Sequence, residues 1–540
     1  MMLNRKIFTQ PSDWDALRRG FRWDVPEHFN IGVACCDDWA RADPGRVAVV
    51  HMGAGGEVEE FTYDRLRRAS NALANAFVAR GLKRGDRVAV LLAQSPEVLI
   101  THFAAHKAGM ITIPLFTLFG EDALEYRLRD SGARAVVTDR ENLPKIAALR
   151  DRLPDLAVIY VVEGAEAGAF GLWQDIESAS DDFTPVATLA EDPAVIIYTS
   201  GTTGPPKGAL HAHRFLLGHM PAIELQHDFF PQPGDIGWTP ADWAWVGGLM
   251  NIALGYLYYG VPVVSHRMGR FDAEAAFAMI ARLNIRNLFL PPTALKLMRQ
   301  VAPPTGLNIR TIMSGGESLG ADMLDWGRSA LGVTINETYG QTECNLCLTS
   351  SASIGVQKPG AIGKPVPGFD IAIIDSAGNE MPRGELGEIA VRRTTPVMFL
   401  EYWKQPEKTA EKFVGDWMRT GDLGVMDEQD YVTFQSRDDD VITSSGYRIG
   451  PTEIENCLTG HPDVAMAAVV GIPDAVRTEI VKAFVVLREG ASPEGIEDVL
   501  RARVRERLSP HLAPRVVEVI DAMPMTATGK IMRRELRARG

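Results

Sequence analysis

From about residue 45 to 340, short β-branched runs alternate with amphipathic segments at the spacing of parallel strand and helix units. Strands are predicted at Arg87 to Leu92, Ala135 to Thr138, Ala157 to Val162, Val195 to Tyr198, Asn287 to Leu290 and Thr311 to Ser314. Pro96 to Lys107 and Ala273 to Leu283 read as helices between some of them, as crossover connections require. After about residue 360 the pattern becomes alternating strands separated by Gly and Pro, such as Asp370 to Ile374 and Glu388 to Arg393, which predicts a small antiparallel unit. A compact α/β segment follows from about Asp439, with strands at Ala467 to Val470 and Val481 to Val486 and a helix around Pro493 to Leu508. The charged run Ser436-Arg437-Asp438-Asp439-Asp440 marks the expected boundary between domains 1–438 and 439–540.

At 540 residues the chain exceeds the size at which one core stops growing, so two or more packed units are required. Hydrophobic residues make up 46% and charged residues 23%, ordinary values for a globular protein, and no polar low-complexity tract argues for internal disorder. The 69 acidic against 56 basic residues leave a formal charge of -13, which repels polyanions and argues against nucleic-acid binding. Any phosphate must therefore be met by a local device in a loop.

Five cysteines cannot frame so long a chain with disulfides, and a reducing cytoplasm is the expected location. Cys344 and Cys347 form one Cys-x-x-Cys pair without the second pair or nearby His of a zinc site. The first residues lack the apolar core of a secretory signal. Trp243 to Val264 is uncharged and long enough for a membrane helix, but Gly247, Gly248, Gly255, Gly260 and Pro262 divide it into pieces that suit a buried helix, turn and strand.

The most informative segment follows an apolar strand: Tyr198-Thr199-Ser200-Gly201-Thr202-Thr203-Gly204-Pro205-Pro206-Lys207-Gly208. Glycines let backbone approach an anion, hydroxyls and amides donate hydrogen bonds, and Lys207 adds a compact positive charge. The composition is that of a polyphosphate cradle, without the Gly-Lys-Ser/Thr ending of a Walker loop. A second segment, Asn336-Glu337-Thr338-Tyr339-Gly340-Gln341-Thr342-Glu343, again follows a strand-like run, and its acidic end is a hard ligand suited to magnesium beside substrate phosphate.

With these motifs in order, the chain resembles the adenylate-forming superfamily, specifically acyl-CoA synthetases of the acetyl-CoA and medium-chain type. Val25 to Asn30 also looks like the opening of medium-chain members. The resemblance covers nearly the whole chain. It implies an α/β fold: a large N-terminal domain of two α/β subdomains plus a small β-barrel-like subdomain, and a small mobile α+β C-terminal domain. It implies ATP, magnesium and coenzyme A as cofactors.

Residue by residue, the resemblance implies that Thr199, Ser200, Gly201, Thr202, Thr203, Gly204 and Lys207 hold phosphate, that Thr342 contacts the α-phosphate, and that Glu343 binds magnesium. Ser314-Gly315-Gly316-Glu317-Ser318 resembles an adenosine-site loop, giving Gly316, Glu317 and Ser318 beside Glu337, Thr338, Tyr339, Gly340 and Gln341, with Tyr339 stacking on adenine. Arg419-Thr420-Gly421-Asp422 and Arg437 look like the ribose-binding pair, and Asp422 can accept from two vicinal hydroxyls. Family members often carry an aromatic residue where this chain has Met418. Ser445 to Gly450 resembles the segment that reorganises between half-reactions. There Gly446 would form a smooth wall for the pantetheine arm, Arg448 would contact phosphate, and Asp439 falls at the hinge. Arg505 aligns with an arginine that contacts coenzyme A phosphates. Pro524-Met525-Thr526-Ala527-Thr528-Gly529-Lys530-Ile531 matches the mobile catalytic lysine, Lys530.

The implied reaction joins a carboxylate to coenzyme A through an acyl-adenylate, with Lys530, Lys207, Thr342 and Glu343 as the catalytic set. Acetate-specific relatives carry tryptophan at the position of Gly340, so glycine predicts a deeper cavity, lined by Trp243, Trp245 and Val246, for short- to medium-chain or branched acids. An aromatic acid is the alternative substrate. A luciferase-like oxygenase, an adenylation enzyme with a non-CoA acceptor and a non-catalytic nucleotide binder are competing readings. Dependence on the Lys530 charge makes it the expected target of a lysine acyltransferase. The sequence is compatible with a homo-oligomer and does not set that state.

Overall fold

The computed structural model describes residues 3–8, 13–166, 168–199, 205–316, 319–437, 440–444, 447–474, 478–510, 512–526 and 530–539, with backbone alone for 443, 447, 448 and 478. Two large mixed sheets dominate. The first has eight strands in the order Glu401–Tyr402, Lys207–Ala212, Pro193–Thr199, Ile111–Pro114, Arg87–Leu91, Ala135–Thr138, Val158–Val161 and Phe170–Gly171. The last six run parallel, while Lys207–Ala212 returns antiparallel to Pro193–Thr199. Ile111–Pro114, Ala135–Thr138 and Val158–Val161 are buried along their whole length, as parallel strands covered on both faces must be.

The second sheet has nine strands, with a parallel centre formed by Ile335–Tyr339, Thr311–Gly315, Asn287–Phe289, Gly237–Trp238, Val263–Ser265 and Val47–Met52. Antiparallel strands close both of its edges. One continuous core joins the sheets: Val88 and Val90 of the first belong to the same buried cluster as Phe289 and Met313 of the second. Helix Pro96–Lys107 contributes to that cluster and is buried at nearly every position. Its predicted limits agree with the structure, because proline at its first position tolerates the missing hydrogen bond there.

A five-stranded antiparallel sheet covers Ile371–Ile374, Leu386–Arg392, Phe413–Val414, Trp417–Met426 and Val432–Arg437. Beyond it, a fourth sheet unites Ile442–Ser444, Tyr447–Ile449, Val464–Asp474, Thr478–Leu487 and Val516–Val519. Only its last pairing is parallel, so this unit is α+β with its own buried core around Ile454, Val469 and Leu500. The predicted helix from Pro493 begins at Ile496, because Gly495 at φ 72° lies outside helical space.

The uncharged stretch from Trp243 folds as helix Gly247–Leu254, helix Gly255–Tyr258 and strand Val263–Ser265. Gly260 makes the turn at φ 73°, with room for no side chain because a Cβ would meet the Trp39 ring at 2.6 Å. Among the described residues no helix is long and apolar enough to cross a membrane. Cys35, Cys36, Cys344 and Cys347 are buried free thiols.

The segment before residue 9 is strapped onto helix Phe215–Gln226. Ile7 N and Phe8 N donate to Glu224 at 2.7 and 2.8 Å, and Tyr259 Oη donates to the same carboxyl at 2.7 Å. Burial nevertheless pushes the Glu224 carboxyl up to about 7. A folded-state value above the ordinary 4.5 means that the folded protein binds the extra proton, so this contribution to stability is complete at low pH and is lost as pH rises through about 7. The stability difference between the native protein and Glu224→Gln, measured by urea unfolding, is therefore expected to shrink between pH 5 and pH 8. A difference that stays constant over that range would show the carboxylate to be held ionised.

Candidate active site

Three strand ends converge. Pro193–Thr199, Thr311–Gly315 and Ile335–Tyr339 each run into one of the predicted motif loops at their carboxyl ends, where open α/β sheets place ligands. Thr199 pairs with Lys207 across the hairpin, so the phosphate-type loop is the connection between two antiparallel strands. Ser200, Gly201, Thr202, Thr203 and Gly204 lie outside the described residues, as do Glu317, Ser318, Asp439, Gly446 and the Arg448 side chain.

Lys207, on a strand of the first sheet, and Glu343, in the turn that follows strand Ile335–Tyr339 of the second, meet at Tyr402. The Lys207 ammonium sits 4.6 Å from the centroid of the Tyr402 ring, while Tyr402 Oη donates to Glu343 Oε1 in a short hydrogen bond. Phe399 N donates to the Glu343 carbonyl at 3.0 Å and fixes the segment carrying Tyr402 against the motif. Burial lowers the Lys207 pKa and the Glu343 charge opposes that shift. Tyr402 was not signalled by any motif; its importance follows from strand Glu401–Tyr402 pairing with Lys207–Ala212. Thr342 opens the short 3-10 turn Thr342–Cys344 and is half-buried.

A second network centres on Asp422. Tyr339 Oη donates to its Oδ2 at 2.6 Å and Gln341 Nε2 at 2.7 Å, and Arg437 Nη1 lies 3.2 Å from Oδ1. Asp422 and Arg437 are direct partners across antiparallel strands, so sheet register brings together residues fifteen positions apart. Gly421 at φ 74° turns the chain and gives its N–H to Glu388 at 2.7 Å. Lys412 Nζ, 3.4 Å from Gln341 Oε1, helps orient that amide and was likewise not foreseen. Among the described residues Asp422 Oδ1 is buried, lies beside the Arg437 guanidinium and accepts no hydrogen bond, so it retains capacity to accept one. Burial and the Asp422 charge hold the Tyr339 phenol far above its usual pKa.

The other expected adenosine contacts divide. Glu337 accepts from the Leu319 backbone and burial raises its carboxyl to about 7. The Thr338 hydroxyl is used internally, donating to Leu348 O at 3.1 Å. Gly316 has φ 99°, and a Cβ there would lie 3.5 Å from the Trp245 ring. Trp245 is half-buried and packs on Phe289 with centroids 5.5 Å apart, whereas Trp243 and Val246 are core residues, 1% and 3% exposed.

A Cβ at Gly340 would meet Leu346 N at 2.3 Å and Asn345 Cα at 2.8 Å. The space on the Cβ side of this glycine is filled by the chain's own backbone.

The two outlying basic residues stand apart. Lys530 is exposed, and its backbone closes a turn with Thr526 through bonds of 2.7 and 3.0 Å. Arg505 is exposed on helix Ile496–Arg507. On either side of the expected hinge, Arg437 is tied to Asp422 and Asp440 is tied to Arg537 at 2.6 Å. Among the described residues no group of three or more His, Cys, Asp or Glu is placed to hold a metal, and the Cys344 and Cys347 thiols are buried. A single carboxylate is the donor set expected of a magnesium site completed by substrate phosphates and water.

Comparison with known proteins gives a concordant result. The model of the AMP-binding enzyme family matches residues 36–403, and that of the AMP-binding enzyme C-terminal domain matches 453–530. The chain is 36% identical over 506 residues to an acetyl-coenzyme A synthetase of Bacillus subtilis, covering 91% of this chain and 87% of the relative. It is 35% identical over 543 residues to the mitochondrial acyl-coenzyme A synthetase ACSM4 of Homo sapiens, covering 97% and 93%. The solved anthranilate CoA ligase AuaEII in complex with anthranoyl-AMP superposes with a TM-score of 0.87 at 28% identity, covering 96% of this chain and 98% of that one.

Substituting Asp422→Ala removes the acceptor shared by Tyr339 and Gln341. The expected cost is about 3 kcal/mol of unfolding free energy, read by urea denaturation. A loss under about 1 kcal/mol would show that the network adds no more than one ordinary hydrogen bond.

Proposed function

Because this chain belongs to the AMP-binding enzyme family, we propose that it is an ATP-dependent acyl-CoA synthetase acting on a small carboxylic acid. The observation that carries this reading is the meeting of Lys207 and Glu343 at Tyr402, with the Asp422 network joined to the same motif through Tyr339 and Gln341. A carboxylate is a poor acyl donor because oxide would have to leave. Attack of its oxygen on the α-phosphorus of ATP forms the P–O bond of an acyl-adenylate and releases pyrophosphate. The coenzyme A thiol then attacks the acyl carbon, losing its proton, and AMP leaves.

In this scheme Lys207 and the loop from Thr199 to Gly204 hold the outer phosphates, and Thr342 approaches the α-phosphate. Glu343 is the residue proposed to hold magnesium, which when bound offsets polyphosphate charge. Asp422 accepts from the ribose through Oδ1, beside Arg437, and Tyr339 forms one wall of the adenine site while its hydroxyl anchors Asp422. Residues 439–540 form the mobile unit that carries Lys530 to the reacting carboxylate in the first step. Gly446, Arg448 and Arg505 are assigned to coenzyme A in the second.

The acid is proposed to be larger than acetate, of short to medium length or branched. An aromatic acid is the second reading, favoured by the Trp245–Phe289 pair beside Gly316. Incubation with ATP, magnesium, coenzyme A and acetate, isobutyrate, hexanoate or benzoate, with products identified by mass spectrometry, tests both readings. Acyl-CoA and AMP from the larger acids are expected, whereas a strong preference for acetate would refute the size assignment. Lys530→Ala is expected to lower acyl-adenylate formation by at least about 100-fold while still converting supplied acyl-AMP and coenzyme A to thioester. Equal loss of both steps would reject the role given to Lys530.

A further inference from the structure

The phenol that joins Lys207 to Glu343 is itself held from several directions. Tyr402 is 2% exposed and pairs with Ala209 at the edge of the first sheet. On either side of it Leu400 N donates to Leu210 O and Trp403 N to Gly208 O, both at 2.7 Å. Its own N–H donates to Thr409 Oγ1 at 2.9 Å. The ring packs on Phe399, with centroids 4.9 Å apart, and the Lys207 ammonium lies over it at 4.6 Å from the centroid, where the ring quadrupole attracts a cation. Backbone and ring together fix where the Oη atom sits, and there it donates to Glu343 Oε1.

Glu343 is 7% exposed, and its backbone carbonyl is held as well, by Phe399 N at 3.0 Å. Its two carboxylate oxygens are therefore unequal. Oε1 is committed to a phenol that cannot swing away without giving up its contacts with Phe399 and Lys207. Oε2 has no hydrogen-bond partner among the described residues, and it is not one of the buried unpaired atoms sealed from solvent. Such an inequality matters to a metal ion. Magnesium demands a small octahedron, dehydrates reluctantly and keeps several waters, whereas calcium takes more oxygens at longer distance and often both oxygens of one carboxylate. A hydrogen bond from a fixed phenol lowers the donor strength of Oε1 and crowds it, which disfavours the two-oxygen contact and leaves the one-oxygen contact through Oε2.

We propose that Tyr402 is a positioning residue that presents Glu343 to the metal through Oε2 alone and thereby sets a preference for magnesium over calcium. The proposal rests on Glu343 as the magnesium ligand and adds the residue that decides which divalent cation this ligand accepts. The two ends of the side chain serve different parts of the site: the hydroxyl orients the metal ligand, and the ring supports the ammonium assigned to the outer phosphates.

The test reads binding rather than turnover. Affinity for an α,β-methylene analogue of ATP, which cannot be cleaved at the α-phosphorus, is measured by calorimetry with magnesium, with calcium and with neither. Native protein is compared with Tyr402→Phe, which keeps the ring against Phe399 and Lys207 and removes only the hydroxyl. Native protein is expected to bind the analogue more tightly with magnesium than with calcium, and Tyr402→Phe to reduce that ratio by about tenfold, the effect of removing a group that orients a metal ligand. Metal-free affinity is expected to be unchanged. A ratio unmoved in Tyr402→Phe, or native protein that gains equally from both metals, would overturn the role given to Tyr402 while leaving Glu343 as the ligand. Loss of metal-free affinity in Tyr402→Phe would show that the hydroxyl holds the site together instead of setting its metal preference, and would equally overturn it. Native protein whose affinity neither metal alters, with Glu343→Gln indistinguishable from it, would instead overturn Glu343 as the metal ligand, and the inference with it.

Discussion

An ammonium on a strand of one sheet and a carboxylate in the turn that follows a strand of another are held within reach of one phenol, and the rest of the site is arranged around that contact. Tyr402 touches Lys207 with its ring and Glu343 with its hydroxyl. The three groups keep an acidic chain's few local charges in balance without any of them being fully consumed. In a protein carrying a formal charge of -13, such local compensation is what makes an anion site feasible. The shared core beneath both sheets makes the spacing of these residues a property of the whole large domain rather than of any loop.

The Asp422 network extends the same logic with neutral donors. Tyr339 and Gln341 occupy one lobe of the carboxylate and Arg437 stands beside the other, so the group is oriented yet retains capacity to accept a hydrogen bond. Arg437 ends the last strand of the five-stranded sheet, and three residues later Asp440 is bound to the C-terminal helix. The Asp422 network and the anchoring of Asp440 to the C-terminal helix thus lie almost adjacent along the chain.

Polar groups in the interior set a further constraint. Glu224, Glu337 and His219 all have shifted pKa values dominated by burial, but their hydrogen-bond environments differ. Glu224 is surrounded by donors from the N-terminal strap, whereas His219 passes a defined tautomer to Asn345. The first arrangement ties the N-terminal segment to the core; the second ties three separate segments of the large domain together.

The order of glycine-, hydroxyl- and acid-bearing motifs after apolar strands was legible from the chain alone, as were most strands and the limits of helix Pro96–Lys107, because all of these are local: periodicity, turn chemistry and capping act within a few residues. The partnership of Tyr402 with Glu343, the filled space beside Gly340 and the His219–Asn345–Asn251 cluster were not, since each joins segments 5 to 126 positions apart through packing or strand register. Sequence spacing determines which groups a loop can offer. Only the close-packed interior decides which of their atoms are already taken and which remain for a ligand.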